Sequence, residues 1–258
     1  MAILLGDFPR SFVDALEEGR QDVLVVKYPE RVDENTLPPG VKVVVAVSHG
    51  IDNIDVEFLK REGIELYRVA TGAIDVVEFC VAAAVTLLRR LPLANMGDWT
   101  RPEGKRLKGK TWGVVGLGLI GKELAETVES LGCKVIVYDP YVEDDRNVPL
   151  DEIAKADIVS IHVPLTEETK GMIGEDFLSK FSGVLIDVSR GGVVDTEAVI
   201  EALKQGTIFG AALDVFPEEP YPLLESEGLN LLATPHIASN TEDRWADAAR
   251  EVNRVISR

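Results

Sequence analysis

A chain of 258 residues, 46% hydrophobic and 28% charged, can bury a sizeable core as one large domain or two small ones. Its formal net charge of −17 argues against nucleic acid as a partner, because phosphates would be repelled over most of the surface; any small anionic substrate then needs a local basic group. No apolar run reaches the roughly 18 residues of a membrane span, and MAILLGDFPR has no basic stretch ahead of its apolar residues. A cytoplasmic protein with no membrane partner is expected. Cys80 and Cys133 stand alone inside apolar segments and read as small buried hydrophobes in a reducing compartment, so neither a disulfide nor a metal site is expected.

Short β-branched runs alternate with helix-period stretches along the whole chain, which predicts parallel α/β layers. In chain order the predicted strands are 2–5, 23–26, 41–46, 65–67, 112–115, 135–138, 158–162, 183–188, 211–214 and 230–233. The predicted helices are 11–18, 55–61, 75–89, 121–131, 174–180, 196–205 and 241–256. Between residues 92 and 110 the composition shifts to Pro, Gly, Trp and basic residues with no apolar period. That stretch reads as a connection between two α/β blocks, an oligomerisation arm, or a plain surface loop.

The segment TWGVVGLGLIGKELAETVESLGCKVIVYDP, residues 111–140, carries the clearest chemical signal. Gly116, Gly118 and Gly121 form G-x-G-x-x-G directly after a predicted strand and at the start of a helix. The first glycine permits the tight turn, the second a close approach of backbone to pyrophosphate, and the third close helix–strand contact. The helix N-terminus then offers free N–H groups to the phosphates. Asp139 ends the next strand, 18 residues past Gly121, where a carboxylate accepts hydrogen bonds from ribose hydroxyls and repels a 2′-phosphate. The expected cofactor is NAD.

Three charged residues follow predicted strands further on: Arg190, Glu219 and His236. Singly, each also reads as a surface or structural group. Together, behind a dinucleotide fingerprint, they point to redox chemistry on a carbonyl. A histidine can deliver the proton that the carbonyl oxygen needs. A carboxylate beside the imidazole fixes its tautomer and favours its charged form. A guanidinium holds a substrate carboxylate through directional bonds.

The motifs GVVGLGLIG, IHVPLTEETKGMIG, LIDVSRGGVVDTEAV, GAALDVFPEEP and TPHIAS, in this order and spacing, resemble the D-isomer-specific 2-hydroxyacid dehydrogenases from about Val41 to the C-terminus. The resemblance implies a catalytic set of Arg190, Glu219 and His236, with Glu219 preferred to Glu218 because it directly precedes Pro220. It implies cofactor contacts from Gly116, Gly118, Ile120, Gly121, Asp139, Thr169, Ser189 and Asp214. A substrate-carboxylate loop falls on Ser48, His49 and Gly50, with Arg190 as a further substrate contact. The implied architecture is a Rossmann NAD-binding domain, 93–236, inserted in a shortened flavodoxin-like substrate domain, 1–92 plus 237–258, with the active site in the cleft between them. The stretch after Pro92 resembles the family's dimerisation segment, so a homodimer is expected.

The chain departs from the pattern at three points. Only 40 residues precede Val41, as if one βα unit were missing between Val26 and Val41. Arg68 takes the place of a small polar residue and reads as a second substrate-binding cation or a surface residue. His49 stands where the family has a small or aliphatic residue and reads as pocket wall rather than catalyst; His162 reads as structural. The expected activity is hydride transfer between nicotinamide and a small D-2-hydroxy acid or 2-oxo acid of the glyoxylate, hydroxypyruvate or phosphoglycerate type. The alternative is a non-catalytic, NAD(H)-sensing or partner-binding protein on the same scaffold.

Overall fold

In a computed structural model, residues 2–18, 20–94, 97, 99–222 and 227–257 are described. The chain divides into two compact units, Met1–Gly72 with Asn240–Arg258, and Ala73–Ser239.

The first unit holds a four-stranded parallel sheet in the order β1-β2-β3-β4, from Ile3–Leu5, Val23–Val26, Val43–Ala46 and Glu65–Arg68. Along β3, Val43 and Val45 enter one apolar cluster while Val44 and Ala46 enter the other, the period-two alternation of a strand buried on both faces. The first face is covered by α1 (Arg10–Asp14) and by the last helix, α8 (Glu242–Ile256), through Phe8, Phe12, Trp245, Ala249 and Val252. Asn253 locks the two helices together: its Oδ1 accepts from Glu17 N and its Nδ2 donates to Ala15 O, both at 2.9 Å. The second face is covered by α2 (Val56–Arg61) and by the β2–β3 connection, through Val32, Leu37 and Val41.

The steps β1 to β2 and β3 to β4 run the same way across the sheet, yet α1 and α2 lie on opposite faces, so the two crossovers have opposite hands. Parallel crossovers are right-handed in about 98% of cases, so one of this pair is of the uncommon hand.

The second unit is a three-layer sandwich around a six-stranded parallel sheet, β10-β9-β8-β7-β5-β6. Its strands are β5 (Thr111–Val115), β6 (Lys134–Tyr138), β7 (Ile158–Ile161), β8 (Val184–Asp187), β9 (Gly210–Leu213) and β10 (Leu231–Ala233). Helices α5 (Leu150–Ile153), α6 (Glu175–Leu178) and α7 (Thr196–Gln205) line one face, and α3 (Ala73–Leu88) and α4 (Leu119–Ser130) the other. Both thiols are buried here, with Cys80 at 0% exposure inside α3, and burial pushes each of them up from the ordinary thiol value. No described helix is long and apolar enough to cross a membrane.

The expected boundary near residue 92 moves to residue 72 and the return crossing to 239–240, because α3 belongs wholly to this second sheet. Val77, Cys80, Ala84 and Leu87 are fully buried there against Val114, Val184, Ile186 and Ala212. Burying a Val or Leu side chain contributes about 1.5–3 kcal/mol, so α3 is anchored far more strongly than a linker could be. The 92–110 stretch accordingly lies inside the second unit and does not join the two; its residues 95, 96 and 98 fall outside the described set.

Candidate active site

Strand β5 has β6 on one side and β7 on the other, which makes its C-terminal end the switch point of the sheet. The glycine turn sits there. Gly116 has φ +93°, and a Cβ on it would lie 2.8 Å from Val163 Cγ1, so only glycine turns the chain here without strain. A Cβ on Gly121 would lie 2.0 Å from Gly116 O, so α4 presses directly on the turn. Gly118 is the opposite case: a Cβ there would meet nothing within 4 Å, which leaves the N-terminus of α4 open to a phosphate group. Ile120 lies in the first turn of that helix.

Asp139, just beyond β6, ties the site together. Its Oδ2 accepts from Leu117 N at 2.8 Å, inside the glycine turn, and its Oδ1 accepts from Tyr141 N at 3.0 Å. Asn147 clamps its backbone, with Oδ1 accepting from Asp139 N and Nδ2 donating to Asp139 O. An open glycine-lined helix terminus with a carboxylate fixed at the neighbouring strand end fits a dinucleotide. Thr169 lies in the connection after β7, donating from Oγ1 to Pro164 O at 2.6 Å.

The ends of β8, β9 and β10 carry the titratable groups. His236 Nδ1 and Glu219 Oε2 are 2.8 Å apart, and Glu219 Oε1 accepts from Phe216 N at 3.2 Å. Burial would raise the Glu219 carboxyl, but the bond to His236 and its charge outweigh that and hold it below the usual carboxylate range. His236 has φ +53°, a conformation uncommon outside glycine, and it is fixed from both sides by Asp214. Asp214 O accepts from His236 N at 2.9 Å. The Asp214 carboxylate takes bonds from Thr234 Oγ1, Ile237 N and Ala238 N at 2.6–2.8 Å. A residue expected among the cofactor contacts is thus also the clasp of the histidine turn, a role the sequence did not reveal.

Arg190 is half-buried just past β8 and donates from Nη1 to Ser189 O at 2.8 Å. Ser189 is buried, and its hydroxyl and N–H both donate to Asp187 Oδ1, at 2.6 and 3.0 Å. Burial drives the Asp187 carboxyl up to about 7 despite those two bonds, with Asp214 adding to the rise. Sequence reasoning missed Asp187; the only hint was the parallel placement of aspartates in LIDVSR and ALDVF. A folded value above the ordinary 3.8 means that stability is fully present below about pH 4 and is lost as the pH climbs through about 7. Asp187→Asn keeps the acceptor without the charge, so its melting temperature should fall less than that of wild type between those limits. Parallel melting curves would refute this.

His162 fits its structural reading. Its Nε2 lies 2.9 Å from Ser160 Oγ, which accepts from Trp112 Nε1, and burial pulls its imidazole down to about 4.

In the first unit, Ser48, His49 and Gly50 follow β3. Ser48 is buried and donates from Oγ to Gly50 O at 2.5 Å, and His49 O accepts from Arg68 Nη1 at 3.3 Å.

A sequence profile of the D-isomer specific 2-hydroxyacid dehydrogenase NAD binding domain matches residues 81–238. A glyoxylate reductase of Thermococcus litoralis is 40% identical over 88% of this chain and 77% of its own length. A D-3-phosphoglycerate dehydrogenase of Bacillus subtilis is 33% identical over 91% of the chain, which spans only about half, 49%, of that relative. Among solved structures, D-lactate dehydrogenase from Aquifex aeolicus, complexed with NAD and lactic acid, superposes with a TM-score of 0.80 at 29% identity, over 92% of this chain and 82% of that one.

Proposed function

The chain belongs to the D-isomer-specific 2-hydroxyacid dehydrogenase family, and from that premise we propose that it is an NAD-dependent oxidoreductase acting on a small 2-hydroxy acid or 2-oxo acid. The observation that carries this reading is the His236–Glu219 pair at 2.8 Å, clasped by Asp214 in the same unit as an open dinucleotide turn. NAD(H), when bound, supplies or accepts the hydride. His236 delivers the proton to the carbonyl oxygen in reduction and takes it back in oxidation. Glu219, held ionised by its bond to the ring, fixes Nδ1 and leaves the transferable proton to Nε2. Arg190 binds the substrate carboxylate and polarises the carbonyl; it also supplies local positive charge in a chain of net −17. The loop that carries Ser48, His49 and Gly50 contributes backbone amides to the carboxylate.

The substrates are of the glyoxylate, hydroxypyruvate or phosphoglycerate type that similar proteins are named for. Consumption of NADH with a panel of such 2-oxo acids tests the reading. Turnover of at least one supports it, whereas NADH binding without turnover of any supports a cofactor sensor.

Gly116, Gly118, Ile120, Gly121, Asp139, Thr169, Ser189 and Asp214 form the cofactor site in this proposal. Asp139→Ala removes both the ribose acceptor and the bond to Leu117 N, so NADH affinity should fall about tenfold, the cost of one charge-assisted hydrogen bond, and NADPH affinity should fall less. Equal losses in a fluorescence titration would defeat the ribose assignment.

We further place the enzyme in the cytosol as a homodimer. Ile74 and Val85 on α3 and Leu91 and Trp99 beyond it are large apolar side chains left 40–64% exposed, as expected of a surface that a second copy covers. Light scattering should give twice the 28.2 kDa chain mass; a monomer mass would exclude the dimer.

A further inference from the structure

Three carbonyls of the loop after β3 are held by side chains. Val47 O accepts from Arg244 Nη2 at 3.1 Å, His49 O from Arg68 Nη1 at 3.3 Å, and Gly50 O from Ser48 Oγ at 2.5 Å. The two guanidiniums come from distant parts of the sequence, Arg244 from α8 and Arg68 from the last position of β4. Arg244 is only 6% exposed and lies 4.0 Å over the Trp245 ring; Arg68 is exposed. A guanidinium is costly to bury unless it is well engaged, so its presence behind this loop calls for an explanation.

The peptide unit supplies one. In a trans peptide the N–H points opposite to the C=O of the same plane, and none of the peptides from 47 to 51 is cis. Holding the carbonyls of 47, 49 and 50 therefore turns the N–H groups of Ser48, Gly50 and Ile51 away from their holders. Among the described residues those three N–H groups have no acceptor, whereas Val47 N, one residue earlier, donates to Val26 O at 2.9 Å. A run of backbone donors without acceptors forms an anion-binding concavity. A cation on the carbonyl of a peptide also polarises that peptide and strengthens its N–H as a donor.

We propose that Arg68 and Arg244 are positioning residues for carboxylate binding: they grip the loop by its carbonyls so that the amides of Ser48, Gly50 and Ile51 are preorganised for an anionic oxygen. This rests on the reading of residues 48–50 as the substrate-carboxylate loop. It gives a role to Arg68, which the sequence left open, and to Arg244, which the sequence did not single out. The two arginines act through the loop, and the bonds they make to it are to backbone.

Steady-state kinetics with glyoxylate and NADH, together with titration of oxalate as a non-reacting carboxylate, test the idea on Arg68→Met, Arg244→Met and Arg244→Lys. Arg68→Met should raise both the KM for glyoxylate and the Kd for oxalate about tenfold, with kcat and NADH affinity little changed, since a bond to a charged donor is lost from the loop alone. Arg244→Lys keeps a charge and a donor and should recover part of the loss caused by Arg244→Met. Because Arg68 is exposed, its variant reports even if Arg244→Met does not fold. Unchanged oxalate affinity in Arg68→Met, or a loss matched by NADH affinity, overturns the proposal, as does a lysine no better than methionine at 244. If wild type binds oxalate but reduces no 2-oxo acid, the dehydrogenase reading fails while the grip on the loop is still decided by the oxalate values. If wild type binds no oxalate, the proposal is wrong.

Discussion

Replacing His236 by alanine should lower kcat/KM for 2-oxo acid reduction by about 10²–10⁴-fold, the usual contribution of a positioned general acid, with NADH affinity unchanged. The expectation follows from separable parts. The glycine turn, Asp139 and the open helix terminus lie around β5 and β6, whereas His236 lies past β10 and is bonded to Glu219 at 2.8 Å. Removing the imidazole takes away the proton donor without touching the turn. Glu219→Gln should cost less than His236→Ala, because an amide still orients the ring but no longer stabilises its charge. Rapid-mixing kinetics with saturating NADH measure the loss. Full activity in His236→Ala would remove the histidine from the mechanism, and a parallel collapse of NADH binding would make it structural.

The second large effect comes from a glycine. A Cβ on Gly191 would lie 1.8 Å from Phe216 O and 2.1 Å from Phe216 C, so the backbone after Arg190 touches the backbone that leads to Glu219. Neither side can yield as a flexible side chain would. Gly191→Ala must push the two segments apart, displacing Arg190 relative to the loop that carries Glu219. Displacements of about 1 Å in a positioned group cost on the order of 10²-fold in rate, and overpacking of this kind destabilises by about 1–3 kcal/mol. The variant should therefore lose about 10² in kcat/KM and melt several degrees lower. Wild-type kinetics in a folded Gly191→Ala protein would show that the two segments need not touch.

Much of this was legible in the sequence, for physical reasons that differ by element. Buried parallel strands write themselves as nearly continuous runs rich in Val, Ile and Leu, which is why Val23–Val26 and Ile158–Ile161 stand out before any coordinates. The G-x-G-x-x-G turn was legible because Gly116 and Gly121 have no sterically permitted substitute. What stayed hidden depends on contacts between distant residues. The assignment of α3 to the second unit follows from packing of Cys80 and Leu87, which helical periodicity alone could not allot to one sheet or the other. The opposite hands of the two crossovers in the first unit appeared only from the faces that α1 and α2 occupy. Likewise, Asp214 as a clasp for the histidine turn needs bonds across more than twenty residues, and the grip of Arg244 on Val47 O spans 197. The predicted helix at 11–18 shrinks to Arg10–Asp14, and that at 174–180 to the single turn Glu175–Leu178. Short helices owe their form to packing more than to propensity.

The central claim is that this chain moves a hydride between a nicotinamide and C2 of a small 2-oxo acid with a fixed stereochemical outcome. Reduction of glyoxylate and hydroxypyruvate with NADH deuterated at the transferable position tests it most directly, with the products read by mass spectrometry and chiral chromatography. The result expected is one deuterium on C2 of the product and, from hydroxypyruvate, the D-hydroxy acid alone. Product without deuterium, or of L configuration, would contradict the account.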